Sequence, residues 1–126
     1  MTDRLDRLAP GIDDVHRWAA ACLAPTRLEI LVALGVHGEC SVGSLATRLE
    51  LERSAVSHAL AVLREADLVR VRIDGRQRLY HVGPAFRLER RGDGFVIELR
   101  REDGYALTLS RSAARLAPGP GGTRVP

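Results

Sequence analysis

The sequence predicts an α+β fold, helices first and antiparallel strands after, and three observations predict it. Between residues 12 and 65 the apolar side chains recur at spacings of three and four, the period of an amphipathic helix. From Val69 to Leu109 they alternate, the period of a strand with one buried face. The turn sequences Asp74-Gly75, Gly92-Asp93-Gly94 and Glu102-Asp103-Gly104 divide that second part into hairpins.

Composition bounds what such a fold can do. With 126 residues, 45% of them hydrophobic, the chain buries one modest core, so one domain with an appendage is expected. The net charge is +3, and all 19 basic residues are arginine, which bonds phosphate and guanine edges through two parallel N–H groups. No apolar run is long enough to span a membrane, and the N-terminus MTDRLDRLAP lacks a signal-peptide core. A cytoplasmic location is expected, with the two cysteines reduced. Histidines such as His16, His37 and His81 come without paired acids, a nucleophile elbow, a glycine-rich phosphate loop or metal-ligand spacing, so catalysis is not expected.

Residues 1–11 form a charged arm. From Ile12 the spacing of Val15, Trp18, Ala19, Cys22 and Leu23 gives a helical stripe, with Asp13 and Asp14 where the helix dipole favours negative charge. Pro25 suits the first turn of a second helix, continued by Leu28, Leu31, Val32 and Leu34 and ended by Gly35. Arg27 faces outward near its start, either solvated or on a phosphate. Ser41 is the expected N-cap of a third helix through Val42, Leu45, Ala46 and Leu49.

The stretch 52–82 carries the densest pattern. Val56, Leu60 and Leu63 form a buried stripe, and Arg53, Ser54, Ser57, His58 and Arg64 lie on the opposite face. Val69, Val71 and Ile73 alternate with Arg70 and Arg72, Asp74-Gly75 turns the chain, and Leu79, Tyr80 and Val82 return. A helix with a polar front followed by an arginine-tipped hairpin is the outline of a winged helix.

Residues 54–82, SAVSHALAVLREADLVRVRIDGRQRLYHV, resemble the recognition helix and wing of the ArsR/SmtB family of bacterial winged-helix regulators, and 23–34, LAPTRLEILVAL, resembles the family's second helix. The resemblance covers about 12–82, and it implies a dimeric DNA-binding regulator in which the first helix packs across a two-fold axis. Trp18 is then either a dimer anchor or a core residue. The family's metal sensors carry Cys-Val-Cys-Asp-Leu-Ala at the start of the third helix, where this chain has Ser41-Val42-Gly43-Ser44-Leu45-Ala46. Neither thiolate position is kept, so no metal and no cofactor are expected. Cys40 lies one residue early.

In a helix-turn-helix the start of the second helix enters the major groove, which makes Arg53, Ser54, Ser57 and His58 the candidates for base edges and phosphates. Arg53 matches the O6 and N7 acceptors of guanine. His58 is either a contact or a buried or capping residue. Glu52, where the family often has a capping serine, is a poorer cap and faces phosphate unfavourably. In the wing, Arg70, Arg72, Arg76 and Arg78 cluster about the turn; Arg72, Arg76 and Arg78 are the expected phosphate or minor-groove contacts, Arg76 first among them.

Beyond the wing the chain leaves the family pattern of a long fifth helix. Gly83-Pro84 breaks it, then Phe86 and Leu88, Phe95, Ile97 and Leu99, and Tyr105, Leu107 and Leu109 alternate in three short strands. Residues 83–111 are therefore expected to form an antiparallel β-meander, either extending the wing sheet or making its own layer. Three roles stand for it: dimerisation, partner or ligand binding, and core coverage. Residues 112–126, rich in small residues, proline and glycine, are expected to be a disordered tail.

The reading is a DNA-binding regulator, a repressor occupying a pseudo-palindromic operator as a homodimer, with a heterodimer left open. The alternative is a winged-helix adaptor docking a partner protein through the meander. Cys22 and Cys40 stand as a possible thiol sensor, against small core residues as the alternative.

Overall fold

Pro25, whose missing N–H costs nothing in a first turn, opens the helix around which the others pack. The computed structural model describes residues 12–22 and 24–111. The expected arm 1–11, Leu23 of the first stripe and the expected tail 112–126 lie outside the described residues. Among the described residues four helices come first: α1 (Ile12–Cys22), α2 (Pro25–His37), α3 (Val42–Leu49) and α4 (Arg53–Glu65). Five strands follow: β1 (Val69–Asp74), β2 (Gln77–Val82), β3 (Phe86–Arg91), β4 (Gly94–Arg100) and β5 (Ala106–Arg111).

α1 buries Trp18, Ala21 and Cys22, so Trp18 packs into the core of its own chain. Its last carbonyls are capped from the next helix. Arg27 donates from Nε to Ala21 O at 2.6 Å and from Nη2 to Ala20 O at 3.3 Å. That replaces the solvated and phosphate readings of Arg27, since a guanidinium satisfies acceptors that the α1 terminus leaves open.

α2 buries Ile30, Leu31, Ala33 and Leu34, while Leu28 and Val32 are only half-buried on its flank. It runs past Gly35 and ends at Gly38, whose φ is 83° and whose N–H reaches Leu34 O at 2.9 Å. Gly35 therefore does not end the helix; it sits where a β-carbon would come 2.9 Å from Phe86 Cε1, and its lack of a side chain admits the meander.

α3 starts at Ser41, whose hydroxyl accepts from the Ser44 N–H at 3.1 Å, as the sequence predicts. It ends at Glu50 in the left-handed region, φ 55°, with the Leu51 N–H returning to Ala46 O at 3.0 Å. α4 has no side-chain cap at Glu52, in keeping with the weak cap expected there. Its buried side is Val56, Ala59, Leu60 and Leu63.

Strands β1 and β2 pair antiparallel with Val69 opposite Val82, Val71 opposite Tyr80 and Asp74 opposite Gln77. The connecting residues are thus Gly75 and Arg76, one step later than Asp74-Gly75. A short third rung joins this hairpin to the α2–α3 turn: Cys40 and Tyr80 exchange both backbone hydrogen bonds, at 3.0 and 2.8 Å.

The meander makes its own sheet, order β3-β4-β5, separate from the wing. Register puts Phe86, Leu99 and Leu107 in one row and Leu88, Ile97 and Leu109 in the next, all on one face. That face closes the core that the helices leave open, with Ile97 and Leu99 fully buried in the same cluster as Leu31, Leu45 and Leu60. Tyr105, expected in the last strand, falls instead in the loop before it and is exposed. Gly83 pins the junction: its N–H reaches Leu68 O at 2.8 Å, and a β-carbon there would stand 2.5 Å from Asp67 O, which no other residue type escapes.

Candidate nucleic-acid interface

The exposed side of α4 begins at its first residue. Arg53, Ser54, Ser57 and His58 are all exposed there, so His58 is neither buried nor in the core. Val56, Ala59, Leu60 and Leu63 fix the roll of the helix by burying the other side, and the four polar residues project together at the N-terminal end. The Arg53 guanidinium lies back toward α3, where a β-carbon on Gly43 would meet Nη2 at 3.3 Å. A glycine at the position of a family thiolate thus leaves space that an arginine uses.

The wing arginines divide into two kinds. Arg70 is held by Asp67, with Nε and Nη2 each 3.2 Å from a carboxylate oxygen. Arg72 is held by Glu39 through a two-pronged pair, 3.0 Å from Nε and 2.8 Å from Nη2. Arg76 and Arg78 are exposed and make no ion pair among the described residues. Of the three wing candidates, two are therefore free to meet a phosphate and Arg72 would have to leave a carboxylate first.

Glu39 joins more than one element. The hydrogen bond from Arg72 holds its carboxyl below the ordinary carboxylate range, against desolvation and with help from the charges of Arg72 and His81. His81 Nδ1 stands 3.6 Å from Glu39 Oε2, buried and without a hydrogen-bond partner among the described residues. The turn between α2 and α3 is thereby fastened to the wing by side chains as well as by the Cys40–Tyr80 rung.

Three features lie outside the residues that the sequence singles out. Ile73 continues the alternation of Val69 and Val71, yet it is 61% exposed, because the hairpin outruns the core at its tip. It faces the same way as Arg78, its cross-strand partner. Ser44, Thr47 and Arg48 form the exposed face of α3, the helix that crosses the backbone in this motif, and the period of that helix would have found them. Glu39 had no local signal, since its partner Arg72 is 33 residues away.

The thiols are placed as core residues. Cys22 and Cys40 are free and buried, and burial pushes the Cys22 thiol above its ordinary value, with the charge of Arg27 opposing. Thiolate chemistry is disfavoured at such a site. Cys40 Sγ donates to Gly38 O at 3.5 Å. Among the described residues no group of three histidine, cysteine, aspartate or glutamate side chains converges as a metal site would require.

Two helices joined by a tight turn, the second presenting a polar N-terminal face beside a β-hairpin, define the winged helix-turn-helix class. The chain belongs to the ArsR family of bacterial regulatory proteins: the model described as "Bacterial regulatory protein, arsR family" matches residues 24–71, from the N-cap of α2 into β1. Solved structures agree. Reduced HlyU from Vibrio cholerae is 33% identical over 62% of this chain and 81% of its own, with a TM-score of 0.57. NolR from Sinorhizobium fredii is 34% identical over 56% of this chain and 70% of its own, TM-score 0.52. A homodimeric winged helix-turn-helix DNA-binding domain from Mycobacterium bovis, described as a possible ArsR-family transcriptional regulator, is 32% identical over 61% of this chain and 70% of its own, TM-score 0.56. No curated protein sequence matches the chain. The meander lies beyond the segment that the family model covers.

Proposed function

We propose that this protein is a cytoplasmic transcriptional repressor that binds a pseudo-palindromic operator as a homodimer. The observation that carries the reading is the joint exposure of Arg53, Ser54, Ser57 and His58 at the start of α4 with Arg76 and Arg78 on the adjacent wing. Two such helices related by a two-fold axis enter successive major grooves about 34 Å apart. The homodimeric description of the Mycobacterium bovis domain supports the same assembly here. Arg76 and Arg78 supply phosphate contacts and counterion release; Arg53 supplies guanine readout, with Ser54, Ser57 and His58 setting register.

The regulator works without a soft metal at the start of α3. Ser41 is engaged as a cap, and the space beside Gly43 holds the Arg53 guanidinium. Stoichiometric zinc, nickel or cadmium that changed operator affinity about tenfold would overturn this.

The test of the whole reading is binding to the promoter region upstream of its own gene, titrated at several salt concentrations beside a random duplex of equal length. Tight, salt-sensitive binding to the promoter alone is expected. Weak and equal binding to both would move the assignment to a protein-interaction adaptor.

A further inference from the structure

A groove of about 710 Å³ runs along the flank of α2, away from the DNA-facing side chains. Its floor is a helical stripe that includes Leu28, Val32 and Val36 between Pro25 and His37, a length of about 18 Å at 1.5 Å per residue. The facing wall is Phe95 and Leu109 of the meander. Both walls are apolar and incompletely covered: Val36 is 41% exposed, and Leu28, Val32, Phe95 and Leu109 are only partly buried.

Among the described residues the groove contains one arginine, in an unusual place. Register sets Arg90 opposite Phe95 and on the same sheet face as Phe86 and Leu88, so a guanidinium lines a surface that is largely apolar among the described residues. Arg90 makes no ion pair among the described residues. Glu29 and His37 also reach the rim, but they are eight residues apart on α2, about 12 Å, so hydrocarbon separates the polar points. A volume of this size, largely apolar with a few fixed polar groups, is the usual form of a small-molecule site. A second copy fits it poorly, because a two-fold contact sets the same concave patch against itself and leaves the volume unfilled.

We propose that the groove binds an elongated amphiphilic acid, its hydrocarbon lying between α2 and the meander and its carboxylate on Arg90. Resting on the regulator reading above, the site gains a route to DNA. Leu49, the last residue of α3, lines the groove, and the left-handed Glu50 that follows sets the angle at which α4 leaves. A ligand touching Leu49 therefore acts on the joint of the helix-turn-helix.

The experiment titrates the full chain with dodecanoate, kept below its micelle threshold, and with dodecanol as the uncharged probe of equal length. One dodecanoate per chain is expected by calorimetry. Val36→Arg, at an exposed position that folding tolerates, should abolish binding; Arg90→Ala should weaken dodecanoate about tenfold and leave dodecanol unchanged. Equal affinity for both probes, insensitivity to Val36→Arg, or no binding would overturn the proposal. A Val36→Arg protein that changes in mass by light scattering while still binding dodecanoate would reassign the groove to a subunit contact. Saturating dodecanoate should shift operator affinity by about tenfold, and an unchanged operator affinity would remove the regulatory link. Operator binding by ligand-free wild type tests the regulator reading on its own, so each failure is distinguishable from the other.

Discussion

Arg76 occupies the second position of a two-residue turn, at the extreme of a hairpin, and nothing on its own chain competes for it among the described residues. Arg76→Ala should weaken binding to every duplex and flatten the salt slope by about one unit. Arg53→Ala should instead cost about 1 to 3 kcal/mol on the operator and less on random DNA; equal losses in a gel-shift titration would make Arg53 a phosphate contact. Arg72 differs from both because Glu39 holds it. The folded-state pKa of Glu39 is depressed, so its ionised contribution is complete above the unfolded-state value and is lost as pH falls through the folded one. At neutral pH the pair is closed, and Glu39→Gln should release Arg72 and steepen the salt slope of DNA binding by about one unit. An unchanged slope in anisotropy titrations would keep Arg72 away from phosphate in either state. Sequence alone singles out all three arginines and ranks Arg76 first in the wing, but it gives no sign that Arg72 is held, because its carboxylate is brought in from a distant turn.

Elements were more legible than their partners. The helices and strands of the described residues follow from periodicity, and Ser41 as a cap follows from its position before an apolar run. Helix α2 ends at Gly38 rather than at the expected Gly35: the two glycines lie close together, and local pattern does not say which one turns left-handed and which one admits a neighbour. The two roles predict opposite responses to the same change. Gly35→Ala must displace the buried Phe86 ring, whose Cε1 would lie 2.9 Å away, and should destabilise by about 1 to 3 kcal/mol despite better helix propensity. Gly43→Ala meets only the mobile end of Arg53 at 3.3 Å and should stabilise by about 0.5 to 1 kcal/mol. Urea midpoints with unchanged slopes would record both; a stabilised Gly35→Ala would mean that the meander can shift off α2. The same substitution at Gly43 should also change operator affinity if Arg53 reads bases from that resting place.

At the scale of the molecule, the meander is part of the core rather than an attachment to it. Its alternation announced one apolar face, but what that face covers depends on α2 and α1, which no local pattern specifies. Arg101 in the loop before β5 adds an ion pair to Asp14 of α1. Leu99→Ala should therefore cost about 2 to 5 kcal/mol and lower one transition for the whole chain. Trp18 fluorescence and helical circular dichroism should move together; a separate early melt would show the meander to be an independent unit. The shared core also has a consequence in time. During synthesis the wing is finished at Val82, yet Phe86, Ile97 and Leu99, which close the core, have still to be added, and β5 ends at Arg111. At about 5 to 20 residues per second that interval lasts roughly one to six seconds, with the face of α2 around Gly35 that the meander later covers still bare. Nascent chains thus expose a sticky half-built regulator at every round of translation, and a chaperone arriving in that window meets the surface that the finished protein reserves for its last three strands.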